Sequence, residues 1–253
     1  VPDLKRLWPA GAAQGARDWI SANVHDGAIR GGTIAVNILP GAVVDNRIPD
    51  EMMNIAFTVD GMKLTYLNGL PDLTKVNGSA LLLGDTFKAD IVSGNVGAVS
   101  LKQGTFVINE LHKHGSIGTI DGVIAGPTRD MLTIIDYPRL GYPKRYGISP
   151  AQSGGTSSVK FNFAIPMLHD LKAEDVGIDV EAELKDVKLP INDQLKLTGG
   201  TFIIKVDAKA MKAHGAVQVN SAPMGFTWSE DFTGTLPNGT RIDVTATLDE
   251  RHR

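Results

Sequence analysis

The chain contains no cysteine. That excludes disulfide staples, thiolate nucleophiles and sulfur-ligated metal centres. It also lacks a basic stripe: the Lys and Arg residues are scattered singly, and the net charge of −3 with a pI near 6.1 argues against a nucleic-acid binder. No apolar run approaches the ~20 residues of a membrane-spanning helix. The start shows neither a basic n-region nor an apolar h-region, so no signal peptide is expected there, and a first residue that is not Met points to a piece of a longer protein. Long helical patterns are scarce and aromatics make up only 6 % of the chain, while Gly is frequent, with 28 in 253 residues. Together these favour a mainly β chain long enough for a sizeable core.

What is present is alternation. In Asp175-Val176-Gly177-Ile178-Asp179-Val180-Glu181-Ala182-Glu183-Leu184, apolar residues hold one parity and acids or Gly the other. A strand sends successive side chains to opposite faces, so this segment is a strand that is apolar on one side and solvated on the other. Val159, Phe161 and Phe163 alternate in the same way with Lys160 and Asn162. So do Ile242, Val244, Ala246 and Leu248 with Asp243, Thr245 and Thr247. Ile55 to Val59, followed by Asp60-Gly61 and then Leu64-Thr65-Tyr66, reads as a hairpin, and Asn238-Gly239 as a second tight turn. One amphipathic helix is expected over residues 12–24, with Trp19 against the sheet. A short second helix is expected over 128–136, N-capped by Thr128 and ended by Pro138.

The three Pro and four Gly of residues 138–158 mark a connection between two larger parts. The expected organisation is an N-terminal helix with a first β unit over 1–137, the connection over 138–158, and a second β unit over 159–253. Leu101 to Ile108 resembles Leu197 to Ile204, and His114-Gly115 is echoed by His214-Gly215, an offset of roughly 95–100 residues that points to an internal duplication.

Chemistry-bearing residues are few. His112 and His114 would share a strand face, but no third ligand completes a metal site, and a solvated pair at a strand end accounts for them. Glu181 and Glu183, with Asp175 and Asp179, could pair for acid–base work, yet a regular polar stripe opposite an apolar one is the ordinary solvent face. There is no Gly-x-Ser-x-Gly elbow and no phosphate-cradling Gly loop before a helix. Gly31-Gly32 and Gly154-Gly155 read as turn or bulge glycines. Asn77-Gly78-Ser79 and Asn238-Gly239-Thr240 are glycosylation triplets in turn-like settings. No enzyme, metal or cofactor is implied. The apolar face remains: the core of a closed barrel or sandwich, or the floor of an open groove. Composition alone favours the closed core.

A series of segments resembles the AsmA-like envelope proteins, in particular the branch of the YhdP family, with TamB more distant. Leu7-Trp8-Pro9 leads to Ala16-Arg17-Asp18-Trp19-Ile20. Phe57-Thr58-Val59-Asp60-Gly61 leads to Tyr66-Leu67-Asn68-Gly69-Leu70-Pro71 and Val76-Asn77-Gly78. Ile120-Asp121-Gly122-Val123-Ile124-Ala125-Gly126-Pro127 is followed by Gly147-Ile148-Ser149-Pro150, then by Phe161, Ile165-Pro166 and Leu184-Lys185-Asp186-Val187. The resemblance implies a curved antiparallel sheet forming an open apolar groove, often called a β-taco. It implies a periplasmic protein held to the inner membrane by an anchor absent from this stretch of chain. Its ligand would be the acyl chains of phospholipid moving toward the outer membrane, and outer-membrane or other envelope proteins would be further partners. The expected groove lining is Ile55, Phe57, Leu64, Phe106, Ile108, Phe161, Phe163, Val176, Ile178, Val180, Leu184, Phe202 and Ile204. The other reading is a β scaffold or interaction module of the cell envelope that holds no ligand.

Overall fold

The structure, a computed structural model, describes residues 14–45, 47–138, 140–168, 171, 175–190, 196–235 and 239–246. A helix, α1 (Gln14–Asn23), leads directly into a meander of twelve strands. These are β1 (Val24–Val36), β2 (Met53–Leu64), β3 (Leu73–Leu83), β4 (Thr86–Val96), β5 (Val99–Ile108), β6 (Ile117–Pro127), β7 (Gly154–Pro166), β8 (Gly177–Pro190), β9 (Lys196–Asp207), β10 (Ala210–Val219), β11 (Ala222–Asp231) and β12 (Thr240–Ala246). Between β6 and β7 lie two short helices, α2 (Thr128–Ile135) and α3 (Tyr142–Arg145), and a 3-10 turn (Pro150–Gln152). Order along the sheet is order along the chain, β1 to β12, with β1 and β12 at opposite ends of the ladder. The sheet is therefore unclosed, and the barrel alternative falls away.

Tight turns keep the meander in register. Val96 pairs with Val99 across Gly97-Ala98, and Leu83 with Thr86 across Gly84-Asp85. Asn220 and Ser221 both adopt positive φ, 49° and 76°, between the paired Val219 and Ala222, the backbone that a two-residue hairpin requires. Asp207 closes the β9–β10 turn by accepting the backbone N–H groups of Lys209 (2.6 Å) and Ala210 (2.9 Å), and those bonds hold its carboxyl below the usual carboxylate range.

Several local expectations need correction. Asp60-Gly61 does not turn the chain: β2 runs straight through it, with a register shift between Val59 and Met62 and Gly61 at φ 62°. A left-handed Gly serves a β-bulge as readily as a hairpin, and here the flanking residues stay paired with β1 and β3. Asn77-Gly78 also lies inside a strand, where Asn77 receives the N–H of Gly61 and donates to Ser93 Oγ. Thr128 is the first residue of α2 rather than its cap; Pro127 holds the cap position, and the Thr128 hydroxyl bonds Ser157 Oγ at 2.8 Å. Helix α1 ends at Asn23 because Val24 already pairs with Leu64, and Trp19 is 49 % exposed instead of packed on the sheet. His114-Gly115 sits in the β5–β6 turn whereas His214-Gly215 lies mid-strand in β10, so that part of the apparent repeat has two different local structures. The helix start before Gln14, Asn238 and Leu248 lie outside the described residues.

The contacts divide the chain into two compact units, residues 1–122 with 164–176, and residues 123–163 with 177–253. In the first, the tightly buried residues gather toward one end of the strands, at Val24, Val76, Val99 and Leu101. In the second, Leu184, Val187, Leu189, Phe202 and Val217 form a core, with Leu132 of α2 and Ile148 packed against it.

Candidate functional site

The pairing registers sort side chains into rows, because residues opposite each other in an antiparallel pair share a face. In the first unit Ile34, Ile55, Leu82, Phe87 and Ile108 stand opposite one another across five consecutive strands. Two residues along runs the next row, Phe57, Ala80, Ala89 and Phe106, and then Val59, Gly78, Ile91 and Gly104. Val24, Leu64 and Leu73 make a further row near the buried end. No charged side chain enters any of them. The opposite parity carries Arg30 bonded to Asp60 (2.8 Å) and Lys88 to Asp90 (2.8 Å), with Thr105 donating to Asp90 at 3.0 Å.

The apolar rows are not a closed core. Ile55, Phe57, Leu82, Phe87, Phe106 and Ile108 are all only half-buried, and Ile34 is 75 % exposed. Phe87 and Phe106 meet edge to face at 6.3 Å, packing sideways along the sheet. Large residues in a sealed interior lose nearly all contact with water; these keep one side toward it.

The second unit has rows of the same pairing kind, but with Ala213, Phe202 and Leu184 buried. Ala182, Ile204, Ala213, Trp228 and Ile242 form one row, and Leu184, Phe202, Gly215, Phe226 and Val244 the next. Phe202 meets Phe226 edge to face at 5.5 Å. On the opposite face Glu181, Lys205, Lys212, Ser229 and Arg241 stand in line. The Lys205 ammonium donates to Glu181 at 2.8 Å, and that hydrogen bond, with the added pull of its charge, holds the Glu181 carboxyl below the usual range. At the Leu184–Leu189 end the apolar face is covered by Leu132 and Ile148. Residues 138–158 thus contribute α3, the 3-10 turn and part of this cover.

Each expected lining residue can now be placed. Ile55, Phe57, Phe106 and Ile108 share adjacent rows of the first unit, and Leu64 lies in the row toward its buried end. Leu184 pairs with Phe202 in the second unit, and Ile204 stands one row away. Ile178 and Val180 continue the parity of Leu184 along β8. Phe161 and Phe163 stack on β7 with centroids 5.1 Å apart. Val176 is half-buried in the first unit, just before β8.

The sequence reading missed Leu82, Phe87 and Trp228, although Thr86-Phe87-Lys88-Ala89-Asp90-Ile91 alternates as clearly as the β8 run. His112 departs from the expected solvated pair. It is not solvated but half-buried, with Nδ1 2.5 Å from Oδ2 of the buried Asp85, whose Oδ1 accepts the His112 backbone N–H at 2.9 Å. Among the described residues no three His, Asp or Glu converge as metal ligands. None of the helices there is long and apolar enough to cross a membrane.

Each of the two units thus carries apolar rows on one face of its strands and ion pairs on the other, in an antiparallel meander. The chain belongs to the YhdP protein family, whose model matches residues 3–249, and so stands with the AsmA-like envelope proteins. No curated protein and no solved structure matches it.

Proposed function

We propose that this chain is a periplasmic segment of an inner-membrane-anchored AsmA-like protein, and that its apolar rows hold phospholipid acyl chains on their way between the inner and outer membranes. The observation that carries this reading is the five-strand row Ile34–Ile55–Leu82–Phe87–Ile108, free of charge yet left half-open. Moving a 16-carbon chain into water costs on the order of 12 kcal/mol, at about 0.8 kcal/mol per CH₂. A half-open apolar face offsets that cost by replacing bilayer hydrocarbon with side chains, while the headgroup stays in water. Such a path needs no nucleophile, metal or cofactor. It needs only that no unpaired charge interrupt it.

Native mass spectrometry with organic extraction of the protein purified from a bacterial host tests the proposal. Phospholipid is expected at defined stoichiometry, and Phe57→Asp or Ile178→Asp is expected to lose it while the strand content by circular dichroism is unchanged. A mass that stays free of lipid after incubation with phospholipid vesicles would overturn the proposal in favour of a scaffold without ligand.

A further inference from the structure

Among the described residues, Glu230 is an acid that stands on the apolar face of the second unit. Glu230 shares its row with Val180, Val206, Met211 and Thr240, and the parity of β11 sets it beside Trp228. Its carboxylate accepts the Trp228 indole N–H (2.7 Å) on Oε1 and the Thr240 hydroxyl (2.7 Å) on Oε2. Both donors are neutral. They orient the carboxylate, and among the described residues no ion pair joins it, which leaves it open to a cation from outside the chain. Tyr146 lies edge to face on Trp228, with centroids 5.2 Å apart, and Arg145 reaches over the ring of Tyr142 at 5.2 Å. Tyr146 feels both charges: burial and the nearby Glu230 raise its hydroxyl pKa, and Arg145 lowers it. A carboxylate and two aromatic rings thus meet on the apolar face, and Arg145 precedes Tyr146 in the chain.

Aromatic rings beside a carboxylate are the chemistry that recognises an ammonium group, and a guanidinium is the usual partner of a phosphate. We infer that Glu230, Trp228, Tyr146 and Arg145 form a headgroup site for a zwitterionic phospholipid, with Glu230 taking the ammonium and Arg145 the phosphate. The inference rests on the acyl-binding reading above and adds a headgroup preference to it. The α3 segment, by supplying Tyr146 and Arg145, gives the face polar specificity at one point where the rest of it is indifferent to headgroup.

The test is a competition. The purified chain is incubated with equal amounts of phosphatidylethanolamine and phosphatidylglycerol vesicle lipids bearing identical acyl chains, and bound lipid is read by native mass spectrometry. The expected result is enrichment of the ethanolamine lipid by roughly tenfold, the scale of one charge-assisted hydrogen bond. Glu230→Gln keeps an acceptor for the Trp228 indole and is expected to lose the preference, with the ethanolamine lipid falling to the level of the glycerol lipid. Glu183→Gln, on the opposite face, should keep the preference. Free ethanolamine at the same concentration should give no adduct, and an adduct as abundant as that of the lipid would overturn the headgroup assignment. Equal uptake of both lipids by the wild-type chain would overturn the site while leaving the acyl-binding reading intact. No uptake of either lipid would overturn that reading itself.

Discussion

Single atoms decide how closely these strands approach. A Cβ on Gly215 would lie 2.4 Å from the Thr201 carbonyl oxygen and 2.5 Å from Phe202 Cβ, so the row Leu184–Phe202–Gly215–Phe226 closes only because that position is bare. Gly215→Ala should cost about 1–3 kcal/mol, the scale of overpacking in a filled interior, measurable as a lowered urea midpoint with unchanged m. On the other face, Glu181 has a folded-state pKa below its ordinary value because of Lys205. Its contribution to stability is thus fully present above the ordinary carboxylate range and lost as pH falls through the depressed value. Lys205→Met should return the Glu181 titration upward toward the ordinary range, readable by NMR of its side-chain carboxyl. The effect on stability should be small and screened by salt, since both groups are solvated. These polar and apolar parities were legible in the sequence wherever residues alternate, as from Ile178 to Leu184. They were hidden at Leu81-Leu82-Leu83, where three identical residues give no parity and only the pairing of Leu82 with Ile55 and Phe87 assigns a face.

At the level of elements, α2 is tied to β7 by a bond no pattern announces. Thr128, 1 % exposed, and Ser157 share a buried hydroxyl–hydroxyl hydrogen bond. Thr128→Val should leave the Ser157 hydroxyl unsatisfied and cost about 1–3 kcal/mol. Adding Ser157→Ala should recover most of that loss, giving a clear coupling in a double-mutant cycle by chemical denaturation. The sequence placed α2 correctly within a residue but assigned Thr128 to capping, because a cap and a buried tether ask for the same side chain. Asp60-Gly61 misled for a similar reason, since a left-handed Gly serves both a turn and a bulge. Residues 138–158 read by composition as a connection. Their role against Leu184 and Val187 depends on Ile148 meeting a core more than thirty residues further along the chain, a contact that local pattern does not carry.

For the whole molecule, composition leaned toward a closed β core, and the family resemblance toward an open sheet; the observed strand order is open. Local alternation cannot separate the two, because both require acids on one parity. The open order has a measurable signature. The native protein should enhance the fluorescence of an apolar-surface dye such as ANS, and preloading with phospholipid should suppress most of that signal; a closed scaffold would give little signal in either state. The pairing scheme carries one more consequence. Every strand finds its partner in the strand made just before it, so the sheet needs no segment from later in the chain to begin forming. Pairing between consecutive strands lets the sheet grow in chain order. A protein assembled this way can fold hairpin by hairpin as its chain is made. Inserting or removing one hairpin would change the sheet by about 10 Å without rethreading the rest.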